Sequence, residues 1–284
     1  MLRTRLWMGA ILIGLAVGVL VVDQWLAPWY PFLFVVVLGL SLAACYEVLK
    51  LLGPVRRPSA WLCYAAVAAV VLANWPAHVA ETAGFAPYVD PDAWHWIIAT
   101  FAAAVLVAFL VEMAIFQAPG GSVTRIALSV WIVAYLGVLP CFLAQLRWLE
   151  NRGTVALALA IFVPKCGDSG AYFIGRAFGR HKMTPVLSPK KTWEGAAGHV
   201  AAAVFATIGI DRLAPTLHGG WFAEIGFGVT VGVAGMLGDL AESLIKRDCQ
   251  QKDASQIMPG FGGVLDVVDS IIFAAPVAYC WLRN

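Results

Sequence analysis

Asp239, Glu242, Ser243 and Lys246 stand at i, i+3, i+4 and i+7 in GVAGMLGDLAESLIKRD. On a helix of 3.6 residues per turn they share one face, and everything opposite is apolar. A carboxylate in such a helix is expensive to insert and normally faces a polar interior or a partner. The same periodicity recurs in VLDVVDSIIF, where Asp266, Asp269 and Ser270 share a face. Two carboxylates on one turn repel, and the arrangement persists more easily with a cation between them. Oxygen donors without His or Cys favour a hard ion such as magnesium. Ion pairing between helices is the structural alternative for the first face, and capping by carboxylates at a helix start is the alternative for the second.

Between the two faces lies KDASQIMPGFGG. Pro259, Gly260, Gly262 and Gly263 break a helix and can turn successive N–H groups toward one point, as in concavities that hold phosphate oxygens; a simple turn would use the same residues. Upstream, Asp168 and Ser169 interrupt an apolar helix close to Lys165. Ser188, Lys190, Lys191 and Thr192 then bring two point charges and two hydroxyls, suited to a triphosphate. Cations that only fix topology account for Arg180 and Lys182 but not for Asp168. Carboxylates from three segments with cations from two loops are how phosphoryl and nucleotidyl transfer sites are composed, with positioning and electrostatics supplying most of the catalysis.

The elements that must position these residues are membrane helices. The 284 residues are 61% hydrophobic and 13% charged, with mean hydropathy +0.80, far outside soluble composition. Apolar runs predict nine spans, at about 6–22, 31–52, 60–77, 94–116, 126–146, 154–174, 195–213, 221–245 and 264–282. The expected fold is an all-α polytopic membrane protein with its N-terminus cytoplasmic. That orientation places Arg3 and Arg5, then Lys50, Arg56 and Arg57, then Arg176 to Lys191, then Lys246 to Lys252 on the cytoplasmic face. Arg147 and Arg152 fall outside on this scheme. The basic, apolar N-terminus is read as an uncleaved first helix. Residues 1–150 read as a transmembrane scaffold and 151–284 as the catalytic half of one integrated membrane domain. A net charge of +2 and the lack of an aromatic–basic interleave exclude nucleic acid. Six cysteines without a CxxC pair, most of them in apolar runs, imply neither disulfides nor zinc.

The run from Ser243 through Lys246-Arg247, Lys252-Asp253, Pro259-Gly260 and Gly262-Gly263 to Asp266 and Asp269 resembles the signature of the phosphatidate cytidylyltransferases, the CDP-diacylglycerol synthases. DSGAYFIGRAFG and SPKKTWEG are similar to that family as well. The resemblance covers about 160–284. Phe261 stands where the family usually has His, Val267 where it has Arg, and Met258 where another aliphatic or Phe is usual. It implies transfer of a cytidylyl group from CTP to phosphatidate. Asp239, Asp266, Lys246 and Asp269 are then catalytic. Asp239, Asp266, Asp168 and Asp269 hold Mg2+, with a second cation left open. Ser188, Lys190, Lys191, Thr192, Ser243, Arg247, Lys252, Asp253, Gly262 and Gly263 bind substrate. The expected partners are CTP, phosphatidate and membrane lipid, and a homodimer is left open. The expected location is the cell (inner) membrane, with the site facing the cytoplasm. The alternatives are an ion-coupled secondary transporter with an ion path along the Asp239 and Asp266 faces, and a transferase acting on a related lipid phosphate.

Overall fold

The computed structural model describes residues 2–53, 57–80, 82–252, 254, 255 and 262–283, without the side chains of residues 2–6, 8, 12 and 15. Asp253, Met258, Pro259, Gly260 and Phe261 lie outside the described residues, as does Arg56.

The protein is a polytopic helical membrane protein. Among the described residues nine helices are long and apolar enough to cross a membrane: Gly9–Leu26, Pro31–Leu51, Ala60–Val79, Ala93–Ile115, Ser122–Trp148, Gly153–Phe178, Trp193–Leu213, Gly220–Asp248 and Leu265–Arg283. Each coincides with one expected span, because only a helix satisfies its own backbone in lipid.

The helices fall into two compact units. The first comprises Met1–Ala144 and Asp253–Leu265, the second Gln145–Lys252 and Asp266–Asn284. The first holds α1 (Leu2–Val22), α2 (Pro31–Leu51), α3 (Ala60–Leu72), α4 (Pro76–Val79), α5 (Ala93–Ile115), α6 (Ser122–Val133) and most of α7 (Leu139–Gln145). α6 and α7 are one span, interrupted by a π-helical turn at Ala134–Val138. Pro140 follows two residues on, and it has no N–H to donate back along an α-helix, so the widened turn absorbs the misfit. Buried polar groups tie this unit together. Asp23, fully buried, accepts from Phe32 N at 3.1 Å and Leu33 N at 2.7 Å at the start of α2. Glu112 and Arg125 form a fork across α5 and α6, with Arg125 Nη2 2.8 Å from Oε2.

The second unit contains α8 (Gly153–Phe178), β1 (Lys182–Thr184), β2 (Ser188–Thr192), α9 (Trp193–Leu213), α10 (Gly220–Asp248) and, from Asp266 onward, α11 (Leu265–Arg283). Its helices approach through glycines. A Cβ on Gly170 would come within 2.5 Å of Gly198 O and Ala202 Cβ, one on Gly198 within 2.6 Å of Ile174 Cβ, and one on Gly228 within 2.6 Å of Val204 Cα. Small residues permit backbone contact where lipid offers no hydrophobic drive for association. α11 runs antiparallel along α10, with Trp281 against Gly226 and Ser270 against Gly235.

The segment read from sequence as a connecting loop is in part an antiparallel hairpin, pairing Lys182 with Thr192 and Thr184 with Ser188. Its two prolines and brevity hide it from any period-2 pattern. Glu194, in the first turn of α9, fastens its base by accepting from Arg180 N at 3.1 Å and meeting His181 Nδ1 at 2.6 Å.

Candidate active site

The site lies entirely within the second unit. α10 carries Asp239, Glu242, Ser243 and Lys246; α11 carries Asp266, Asp269 and Ser270; α8 carries Lys165 and Asp168; β2 supplies Lys191. Asp239, Glu242 and Asp269 each offer a carboxylate oxygen within 4.8 Å of the other two. Asp239 is the accessible member, with a side chain 37% exposed, whereas Glu242 is 1% exposed.

Three lysines border these acids. Lys191 Nζ lies 2.8 Å from Asp239 Oδ2, a contact of charges more than an aligned hydrogen bond. Lys165 Nζ sits between Asp168 Oδ2 at 3.3 Å and Asp269 Oδ1 at 3.5 Å. Lys246 Nζ pairs with Asp266 Oδ1 at 2.7 Å and with Glu242 Oε2. Asp168 Oδ2 also accepts from Ser270 Oγ at 3.2 Å, and Asp269 Oδ1 accepts from Ser270 N at 2.6 Å. Charges packed this closely hold one another's geometry, because removing either partner strands a buried charge.

The donor set fits a hard divalent cation. Glu242 Oε1 is buried with no hydrogen-bond partner among the described residues, an arrangement that costs free energy until something electropositive meets it. All three donors are carboxylate oxygens, the ligand class magnesium takes.

The residues expected at this site are distributed as follows. Asp239, Asp269, Asp168, Asp266, Lys246 and Lys191 are gathered in the network. Ser243 is buried on the same face of α10. Arg247 reaches the hairpin, donating from Nε to Leu187 O at 3.3 Å and from Nη1 to Gln251 O at 3.0 Å. Ser188 is half-buried on β2, and Lys190 and Lys252 are exposed. Thr192 is buried and caps α9, its Oγ1 accepting from Gly195 N at 3.1 Å. Gly262 and Gly263 belong to the first unit. Val267, where the resemblance leads one to expect Arg, is half-buried on α11.

One member escaped the sequence reading, and another was placed on the right face without being named a ligand. Glu242 stands on the acidic face of α10, and its periodicity could have named it a ligand. His199 on α9 is 2% exposed, with Nδ1 3.7 Å from Asp168 Oδ1. Its ring occupies the space that Gly167 leaves free. A lone polar residue in the apolar run of α9 was the available signal.

Sequence comparison places the chain among known proteins. The chain is 36% identical over 203 residues to phosphatidate cytidylyltransferase 5, chloroplastic, of Arabidopsis thaliana, covering 62% of this chain and 50% of that protein. It is 39% identical over 145 residues to the phosphatidate cytidylyltransferase of Brucella suis biovar 1, covering 51% of this chain and 53% of the relative. The Bacillus subtilis protein of the same name is 39% identical over 146 residues, 51% of this chain and 54% of the relative. The chain thus spans about half the length of the curated relatives it matches. A model of the Cytidylyltransferase family matches residues 3–284, and the chain belongs to that family.

Proposed function

We propose that the protein transfers a cytidylyl group from CTP to phosphatidate, giving CDP-diacylglycerol and pyrophosphate. The observation that carries this reading is the oxygen cluster of Asp239, Glu242 and Asp269, bordered by Lys165, Lys191 and Lys246. A phosphate oxygen of phosphatidate forms the new bond to the α-phosphorus of CTP, and the bond from that phosphorus to the bridging oxygen of the β-phosphate breaks. The attacking oxygen is already ionised, so the protein needs no base to deprotonate it. What the chain must do is bring two polyanions together and hold them in line.

The residues divide that task. Lys191, half-buried against Asp239, and Lys190 beside it on β2 supply positive charge to the triphosphate, with Ser188 as a hydroxyl partner. Arg247 and Lys252 extend the cationic surface beyond α10 toward a lipid phosphate. Asp239, Glu242 and Asp269 would hold Mg2+, with Asp266 and Asp168 beside them against their own lysines. The ion would neutralise phosphate charge and polarise phosphoryl oxygens. Lys165 and Lys246 keep the acids in register.

The cationic connections favour placing this end of the second unit in the cytoplasm, where CTP is found, with the N-terminus on the same side. For a bacterial chain the membrane is the inner one. A site at headgroup depth is then open to a lipid phosphate from one side and a nucleotide from the other.

The test is transfer of label from CTP into the lipid phase by purified full-length protein with phosphatidate and magnesium. Magnesium-dependent labelling that disappears in Asp266→Asn is the expected result. Labelled lipid from Asp266→Asn at the wild-type rate would remove that residue from the site. Labelling of a polyprenyl phosphate instead of phosphatidate would reassign the acceptor.

A further inference from the structure

Glu47 lies outside the site described above, yet it is 0% exposed and its carboxylate accepts hydrogen bonds from three of the described residues. Ser255 Oγ donates to Oε1 at 2.5 Å, Val264 N to Oε1 at 2.9 Å and Leu265 N to Oε2 at 2.8 Å. All four residues belong to the first unit. Cys45, Val48 and Leu49, near Glu47 on α2, are each fully buried. An acid in that setting is costly unless every lone pair is used.

The backbone it binds is shaped to receive it. A Cβ on Gly263 would stand 2.5 Å from Oε2 and 2.8 Å from Cδ, so any side chain there would displace the carboxylate from this position. Gly262 has φ +101°, a left-handed conformation that other residues adopt only with strain. The first amides of a helix have no intrahelical acceptor, and a negative charge there is favoured by the helix dipole. Leu265 is the first residue of α11, and Asp266 is joined to it directly. With 1.5 Å of rise and 100° of rotation per residue, fixing the amides of Val264 and Leu265 fixes the depth and rotation at which the helix begins, and so the faces on which Asp266 and Asp269 emerge.

We propose that Glu47 is a positioning residue for the transfer reaction: from a helix remote in sequence it fixes the first amides of α11, the helix whose opening turns carry Asp266 and Asp269, without touching substrate. This rests on the transfer reading above. A carboxylate serving only the packing of α2 would contribute stability and leave turnover by the folded protein unchanged.

The experiment uses the full chain in nanodiscs containing phosphatidate, with Glu47→Gln and Gly263→Ala compared with wild type. In Glu47→Gln the new side-chain amide turns a donor toward one of the two N–H groups, Val264 N or Leu265 N, whereas Gly263→Ala crowds the carboxylate with its charge intact. In both, kcat should fall about 10- to 100-fold, with KM for CTP within about twofold and the magnesium requirement raised. Hydrogen exchange at Val264 and Leu265 should quicken in Glu47→Gln. If wild type turns over and both folded variants match its kcat, the positioning role is overturned and the transfer reading stands. If wild type labels no lipid, the transfer reading falls and the exchange measurement decides alone: unchanged protection of the two amides overturns the clamp, and faster exchange upholds it.

Discussion

At the scale of single residues, the acids of this site differ in what surrounds them more than in type. Asp266 and Asp168 each face a lysine, and Asp269 shares one with Asp168. Glu242 is more deeply buried than any of them and has only one oxygen on Lys246. The other oxygen is where a cation gains most, because it competes with no proton donor. Glu242→Gln should therefore raise the magnesium concentration needed for half-maximal turnover about 10- to 100-fold while leaving the protein folded, since the amide oxygen can still accept from Lys246. A magnesium titration of wild type and variant side by side checks this, and an unchanged requirement would remove Glu242 from the ligand set. The periodicity of α10 put Glu242 on the right face from sequence alone, but periodicity does not say which acid on a face is buried. His199 and Glu47 were illegible for a different reason. Each is a single polar residue in an apolar run, and the partners of Glu47 lie 208, 217 and 218 residues along the chain.

At the scale of elements, the nine spans were legible because lipid demands long apolar runs, and the structure reproduces each to within a few residues at either end. Helix packing was not, because glycine reads alike at an interface and on a lipid-facing surface. The second unit separates the two cases. Gly170 and Gly198 have no room for a methyl group, whereas Gly209 on the same α9 has nothing within 4 Å of a notional Cβ. Gly198→Val and Gly170→Val should each destabilise the purified protein by about 1–3 kcal/mol through overpacking. Gly209→Ala should be neutral or stabilise by about 0.5–1 kcal/mol, since Gly is the poorer helix former. Thermal melts of the three variants decide it, and equal melting temperatures would mean that α8 and α9 do not meet through these glycines. The hairpin shows the converse limit: two strands of three and five residues containing a proline cannot announce themselves by alternation. Glu194 and the Thr192 cap, which hold its base, belong to a motif that read from sequence as phosphate-binding chemistry.

At the scale of the whole molecule, topology was argued from where lysines and arginines fall, and Arg147 and Arg152 were the exception. Both are engaged by the second unit itself. Arg147 is 3% exposed and donates to Thr154 Oγ1 at 2.7 Å, and Arg152 donates to Thr216 O at 3.4 Å. Asp211 in turn accepts from Thr216 N and Leu217 N, both at 2.8 Å. The sorting rule counts lysine and arginine in short connections whatever contacts they make after folding, so this pair counts against the scheme. On the proposed orientation the connections from Arg176 to Lys191 and from Lys246 to Lys252 lie on the cytoplasmic side and the connection between α9 and α10 on the other, with Arg212 and Arg283 at that second face. In a cysteine-free background that retains turnover, Lys182→Cys should react with a membrane-impermeant maleimide only after the cells are opened, and His218→Cys should react in intact cells. The two positions flank a single span, α9, and both are exposed, so burial cannot mimic protection by the membrane. Reversed labelling would put the cluster of Asp239, Glu242 and Asp269 on the face away from CTP, and a cytidylyl transfer fed from the cytoplasm would no longer be compatible with this chain.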